Sequence, residues 1–160
     1  MKENAIYPGT FDPISNGHTD IIERAAKIFD KVIIAVAEDT NKDCLFSLKK
    51  RVELCKEATA HIKNVCVEGF SGLAVNYVKE KNSSIMIRGL RAVSDFEFEL
   101  QLSLANRDLC DKVETLYLIP KKEYIYLSSS ILKQIVKSGG DVSQWAHQDV
   151  VSALEDKLRK

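Results

Sequence analysis

The run Lys31-Val32-Ile33-Ile34-Ala35-Val36-Ala37 restricts the possible folds more than any other stretch of the chain. After Lys31 it is continuously apolar and largely β-branched. It lacks the polar–apolar alternation of a strand with one face in water, so both its faces are buried, as in a parallel sheet covered by helices. Just upstream, Ile21, Ile22, Ala25, Ala26 and Phe29 recur at the three-to-four-residue spacing of one helix face. Before those comes a short apolar run, Ala5-Ile6-Tyr7. Strand, helix and strand in that order make a parallel, right-handed βαβ unit.

The turn inside this unit, Tyr7-Pro8-Gly9-Thr10-Phe11-Asp12-Pro13-Ile14-Ser15-Asn16-Gly17-His18, carries two prolines, two glycines and Asn16. A turn of this kind aims backbone N–H groups of the helix N-terminus above the strand end, where a phosphate can bind. Gly9 and Gly17 can adopt positive φ and admit a ligand close to the backbone. His18 falls in the first helical turn. Neither P-loop nor dinucleotide glycine spacing is present.

The same alternation continues along the chain. A polar loop over 38–47 carries Lys42, and Ser47 is placed to cap a helix through Val52, Leu54 and Cys55 to about residue 60. Val65-Cys66-Val67 reads as a strand, 69–72 as a turn and about 73–81 as a helix. Ser84-Ile85-Met86-Ile87 reads as a buried strand ending in Arg88-Gly89-Leu90-Arg91. Asp95 opens a helix with Phe96, Leu100, Leu104 and Ala105 on one side. Leu116-Tyr117-Leu118-Ile119 is a strand stopped by Pro120. Ser128-Ser129-Ser130 leads a helix over 131–136 that Gly139-Gly140 ends, and about 149–158 forms an amphipathic C-terminal helix. The expected class is α/β: a single domain over 1–160, mainly parallel sheet, with helices on both faces.

Composition narrows the function. The 23 Lys+Arg balance the 23 Asp+Glu, which argues against nonspecific binding to nucleic acid or an anionic membrane. No apolar run has membrane-spanning length, and no signal peptide is expected ahead of Ala5. Cys44, Cys55, Cys66 and Cys110 lack metal or disulfide spacing. The cytosol is the expected compartment.

In open α/β sheets ligands sit beyond the carboxyl ends of the strands. At those ends the chain places Thr10 and His18, then Lys42, then Arg88 and Arg91, then the serine triplet. Arginine forks, a lysine, hydroxyls and helix N-termini at one rim suit a polyphosphate or two phosphorylated ligands. Taken singly, each has an ordinary explanation. Lys42 is a solvated lysine, Arg88 and Arg91 are surface arginines, the serines are a cap, and Glu99 faces solvent.

Taken together, these residues resemble the phosphopantetheine adenylyltransferase family of the nucleotidyltransferase superfamily. The superfamily's first signature falls on Ser15-Asn16-Gly17-His18 and its second on Leu127-Ser128-Ser129-Ser130-Ile131-Leu132-Lys133. Tyr7-Pro8-Gly9-Thr10-Phe11-Asp12-Pro13, Ile87-Arg88-Gly89-Leu90-Arg91 and Asp95-Phe96-Glu97-Phe98-Glu99 resemble the family's own markers. Ser15 and Ser130 stand for Thr, Lys133 for Arg, and Ala74 for the usual Leu or Met.

The resemblance implies a Rossmann-like nucleotidyltransferase fold and transfer of AMP from ATP to 4′-phosphopantetheine, giving dephospho-CoA and pyrophosphate. It implies that Thr10, Lys42, Ala74 and Arg88 contact the acceptor. It places Thr10, Phe11, His18, Gly89, Leu90, Arg91, Glu99, Tyr124, Ile125, Tyr126, Leu127, Ser128, Ser129 and Ser130 on ATP, with His18 stabilising the transition state. Mg²⁺ would travel with the phosphates, held by no dedicated protein cage. A cytoplasmic homohexamer with coenzyme A as feedback ligand is implied as well. Two alternatives are a sister enzyme with another acceptor, such as nicotinamide mononucleotide or a cytidylyl-accepting alcohol phosphate, and a nonenzymatic nucleotide sensor. The Ile87–Arg91 marker and the chain length argue against the first. Retention of His18, Ser128 and Ser129 argues against the second.

Overall fold

The computed structural model describes residues 3–38 and 43–159. The elements run β1 (Asn4–Gly9), α1 (Asn16–Ile28), β2 (Lys31–Ala37), α2 (Leu48–Thr59), β3 (Val65–Phe70), α3 (Ala74–Glu80), β4 (Ile85–Gly89), α4 (Val93–Leu109), β5 (Glu114–Leu118), a single 3₁₀ turn (Lys122–Tyr124), α5 (Ser129–Lys137) and α6 (Gln148–Leu158). Among the described residues the strands form one parallel sheet in the order β3-β2-β1-β4-β5.

Period-two alternation along the strands sends side chains to two separate core layers. Ala5, Tyr7, Val32, Ile34 and Val36 meet Ile21, Ile22 and Ala25 of α1, Leu54 of α2, Leu132 of α5 and Leu154 of α6. On the opposite face, Ile6, Ile33, Ala35, Phe70 and Met86 pack with Val75, Tyr77 and Val78 of α3. Both faces of β2 are buried, as its composition requires. Burial of these aliphatic side chains, each worth about 1.5–3 kcal/mol, drives the fold.

The strand order reverses between β1 and β4. The β1–β2 ladder runs in register from Asn4↔Lys31 to Gly9↔Val36. By contrast, β1 and β4 pair at Ala5↔Ile85 and Ile6↔Met86 and then part. A crevice opens beyond that point, at the carboxyl ends, where doubly wound sheets bind ligands.

Some local expectations change. Gly69 lies inside β3. Gly9 and Gly17 are not in the positive-φ region; in that turn Phe11 is, at φ 47°. Gly9 serves a different purpose, because a Cβ there would come within 2.9 Å of the Phe11 ring. The side of α4 bearing Phe96, Leu100, Leu104 and Ala105 faces outward, as do Phe98 and Leu109. With Leu116 and Ile119 of the neighbouring edge, α4 leaves a broad apolar surface uncovered in the single chain. None of the described helices is long and apolar enough to cross a membrane.

Candidate active site

The crevice is a cleft of about 760 Å³ whose wall includes Thr10, His18, Ala74, Arg88, Arg91 and Ser129. A separate hollow of about 590 Å³ lies between α2 and α6, lined by Glu53, Glu57, Asp149 and Asp156 as well as lysines. Its carboxylates outnumber its lysines, so the strand-end cleft, with Arg88, Arg91 and Lys133, suits an anion better.

His18 occupies the third position of α1, after the N-cap Ser15. Its Nδ1 accepts the Ser15 backbone N–H at 3.1 Å, with Ser15 Oγ at 3.0 Å. The histidine thereby takes the place that a glutamate holds in a capping box. A backbone N–H can only donate, so Nδ1 is unprotonated and the neutral ring carries its proton on Nε2. Burial, followed by the nearby Arg91 and Arg88 charges, pushes the His18 pKa down to about 4. Phe11 packs edge-on against the ring, with centroids 5.2 Å apart, and Tyr7 stacks edge-on against Phe11. At neutral pH His18 is therefore an oriented, uncharged donor in a positive field.

At the end of α1's first turn, Asp20 is almost fully buried, and its Oδ2 accepts the backbone N–H of Lys121 at 3.0 Å. Oδ1 has no hydrogen-bond partner, with Lys121 Nζ 3.6 Å away. Arg24, one turn on, donates to the Ile119 carbonyl. These two bonds fasten the segment leaving β5 to the helix that carries His18. The same segment is tied at its far end, where Arg91 Nη1 donates to the Leu127 carbonyl at 2.9 Å and Ser129 Oγ to the Pro13 carbonyl at 2.7 Å. Ser128 caps α5 by accepting the Ile131 N–H.

Two buried charged side chains shape the opposite rim. Asp12 accepts the N–H groups of Leu45 (2.8 Å) and Phe46 (2.9 Å) and pairs with Lys133 Nζ at 2.9 Å. Burial would raise its pKa, but the two N–H groups and Lys133 outweigh that and lower it. Arg51 of α2 donates to the carbonyls of Thr10 (2.7 Å), Ala37 (2.8 Å) and Phe46 (3.2 Å), binding the turns after β1 and β2 together.

Arg88, at the end of β4, meets Glu99 of α4 through two bonds: Nε to Oε2 at 2.9 Å and Nη2 to Oε1 at 2.5 Å. Its Nη1 donates to the Pro8 carbonyl at 3.0 Å. Burial disfavours the charged guanidinium, but the Glu99 carboxylate outweighs it and the Arg88 pKa is raised. Gly89 follows because α1 passes so close that a Cβ would lie 2.7 Å from Ile21 Cδ1.

The structure thus brings Thr10, Phe11, His18, Ala74, Arg88, Gly89, Arg91, Glu99, Tyr124, Leu127, Ser128, Ser129 and Ser130 to one cleft. Three other expected residues do not line it. Leu90 donates its N–H to the Leu118 carbonyl, Ile125 is exposed, and Tyr126 packs edge-on against Trp145. Lys42 lies outside the described residues. Asp12, Asp20 and Arg51 were not anticipated as organisers of the site, and a lone polar residue in sequence gives no signal of a partner dozens of residues away. The expectation of open N–H groups at the start of α1 is met only in part, since Asn16 N–H is taken by the Trp145 carbonyl. Glu99 is not solvated; it is buried against Arg88.

A family model described as cytidylyltransferase-like matches residues 6–135. A protein of Campylobacter hominis named phosphopantetheine adenylyltransferase is 54% identical over 157 residues, covering 98% of this chain and 99% of that protein. A crystal structure from Vibrio parahaemolyticus, described as a candidate nicotinate-nucleotide adenylyltransferase, superposes with a TM-score of 0.71 over 96% of this chain and 91% of that one. At 19% identity it bears on the fold alone. With the cleft at the strand-order reversal, these likenesses establish that the chain belongs to the phosphopantetheine adenylyltransferase family within the cytidylyltransferase-like nucleotidyltransferases.

Proposed function

We propose that the chain transfers AMP from ATP to 4′-phosphopantetheine, giving dephospho-CoA and pyrophosphate, in coenzyme A biosynthesis. An oxygen of the acceptor's phosphate attacks the α-phosphorus of ATP. A P–O bond forms there, the bond from Pα to the bridging oxygen breaks, and pyrophosphate leaves with the electron pair. The attacking oxygen is already anionic, so the site needs no general base. It needs alignment of two anions and stabilisation of charge on the leaving group.

In this reading Thr10, Ala74 and Arg88 face the acceptor, and Lys42 is assigned to it by the resemblance alone. Thr10, Phe11, His18, Gly89, Arg91, Glu99, Tyr124, Leu127, Ser128, Ser129 and Ser130, which share the cleft, hold ATP. The neutral His18 offers its Nε2 proton to the phosphate oxygens as they gain charge. Lys133 is engaged by Asp12, so its part is to hold the turn.

The donor set fits a Mg²⁺ that arrives on phosphate oxygens. Of the cleft carboxylates, Asp12 and Glu99 are engaged by Lys133 and Arg88, and among the described residues no three His, Cys, Asp or Glu side chains converge. Bound to the phosphates that His18 and Arg91 orient, Mg²⁺ would supply further charge neutralisation.

We also assign the chain to a cytoplasmic homohexamer acting as one domain, with coenzyme A as feedback ligand. The exposed apolar surface of α4 and β5 supports the assembly. The observation that carries the choice of acceptor is the 54% identity over nearly the full length of the Campylobacter hominis protein. Pyrophosphate release from ATP, measured with 4′-phosphopantetheine and with nicotinate and nicotinamide mononucleotides, tests it. Turnover only with 4′-phosphopantetheine is expected; turnover only with a mononucleotide overturns the reading.

A further inference from the structure

Tyr7 of β1 has no part in the reaction outlined above, yet its surroundings are not those of an ordinary core tyrosine. The side chain is buried, with 5% of its surface exposed, and it packs edge-on against Phe11 with ring centroids 5.3 Å apart. It also forms part of the cleft wall. Among the described residues its hydroxyl has no hydrogen-bond partner. A buried tyrosine normally finds one, and phenylalanine would fill the same space without stripping water from a hydroxyl. Burial, opposed by the Arg88 and Arg91 charges, pushes the Tyr7 pKa up. The group therefore keeps its proton at neutral pH and can donate it in a hydrogen bond.

Alternation along the strands decides which side of the cleft this hydroxyl serves. Tyr7 and Ile87 belong to the core layer that includes Ile21 of α1, whereas Ile6 and Met86 belong to the opposite layer. Gly89 stands two residues beyond Ile87, and Arg88 two beyond Met86. Gly89 thus shares the sheet face of Tyr7, and Arg88 lies on the other. A Cβ at Gly89 would come within 3.3 Å of Tyr7 Oη, and without one the hydroxyl stays open to the cleft. His18 is close by on the same side, with its ring centroid 6.5 Å from that of Tyr7. Both neighbours, His18 and Gly89, are assigned to ATP.

We infer that Tyr7 is a further ATP-binding residue, its hydroxyl donating to an oxygen of the nucleotide held between α1 and the end of β4. The inference rests on the reading of that side of the cleft as the ATP site.

Tyr7→Phe keeps the ring and its packing and removes only the hydroxyl. Calorimetric titration of the full chain and of this variant with α,β-methylene ATP and, separately, with 4′-phosphopantetheine tests the inference. Kd for the ATP analogue should rise about three- to tenfold, as for loss of one neutral hydrogen bond, while acceptor Kd stays within about twofold. An unchanged Kd for the ATP analogue, or an equal or larger loss for the acceptor, overturns the inference.

Urea denaturation of the ligand-free proteins gives a second readout, which separates binding from a merely structural role. A hydroxyl without a partner in the free protein can be removed with the midpoint unchanged or raised. A lowered midpoint, or a variant that does not fold, overturns the inference. Wild-type protein that binds the ATP analogue but not 4′-phosphopantetheine overturns the proposed acceptor alone. Normal wild-type binding of both ligands with no ATP-selective effect of Tyr7→Phe overturns only the role of Tyr7.

Discussion

Replacing His18 by alanine removes a donor whose protonation state the structure specifies. Nδ1 is occupied by the Ser15 N–H, so the proton lost with the ring is the one on Nε2. The ring is neutral above a pKa of about 4, so its hydrogen bond to phosphate is modest in the ground state and strengthens as charge moves onto pyrophosphate. Loss of one donor of this kind lowers kcat about 10²–10³-fold, or roughly 2.7–4 kcal/mol. Because the loss falls in the transition state, kcat and kcat/KM drop together, and the Kd for α,β-methylene ATP changes little.

The same substitution has a separate signature in stability. The folded pKa lies below the ordinary histidine value of 6.5, so between the two values the unfolded chain binds the proton more readily. Stability is therefore full above pH 6.5 and is lost as pH falls toward 4, by at most about 3 kcal/mol. Contact of the ring with solvent reduces that figure. His18→Ala should be less acid-sensitive across this window in urea denaturation, despite losing the acceptor for Ser15 N–H, a capping loss of about 0.5–2 kcal/mol. Steady-state pyrophosphate release and proton NMR of the ring supply the test. Near-normal kcat with poor ATP binding, or a His18 resonance titrating near 6.5, would refute the reasoning.

Arg88→Ala should cost the acceptor about 1.5–3 kcal/mol of binding with little change for ATP; titration of both ligands showing equal losses would contradict its place. Asp20→Ala leaves the part-buried Lys121 N–H without its acceptor, and about 1 kcal/mol of stability plus tight ATP binding should go with it. Asp20→Asn, which keeps an acceptor, should restore most of both, and an alanine variant with an unchanged urea midpoint would rule the tie out. Burial pushes the Cys55 and Cys66 thiols up, away from the reactive thiolate. A variant with all four cysteines replaced by alanine should therefore keep kcat within about twofold once folded, and a folded but inactive variant would contradict this.

Features written in local chemistry were legible in the sequence. The unbroken apolar run of β2 required two covered faces, Ser47 and Ser128 marked helix starts, and the strand ends located the rim. Features that depend on a distant partner were not. Asp12 meets backbone groups at 45 and 46 and Lys133, and Arg51 meets carbonyls at 10 and 37; nothing near either residue announces the match. Helix α4 misled in another way, because its apolar residues are spread around the helix and serve a surface the single chain leaves open. Glu99, on that helix, read as solvent-facing by ordinary expectation, yet Arg88 draws it inside. The Phe11 turn shows the same limit: Gly9 and Gly17 were the natural candidates for positive φ, but a phenylalanine holds it, and Gly9 makes room for its ring.

In the proposed reaction the acceptor's phosphate takes the adenylyl group of ATP directly. Incubating the chain with 4′-phosphopantetheine and ATP labelled at the α-phosphorus, then separating the products, tests it in one step. The label should appear in dephospho-CoA, one equivalent for each pyrophosphate released, and His18→Ala should slow its appearance without redirecting it. Label recovered as free AMP, or as ADP while inorganic phosphate accumulates, would contradict it.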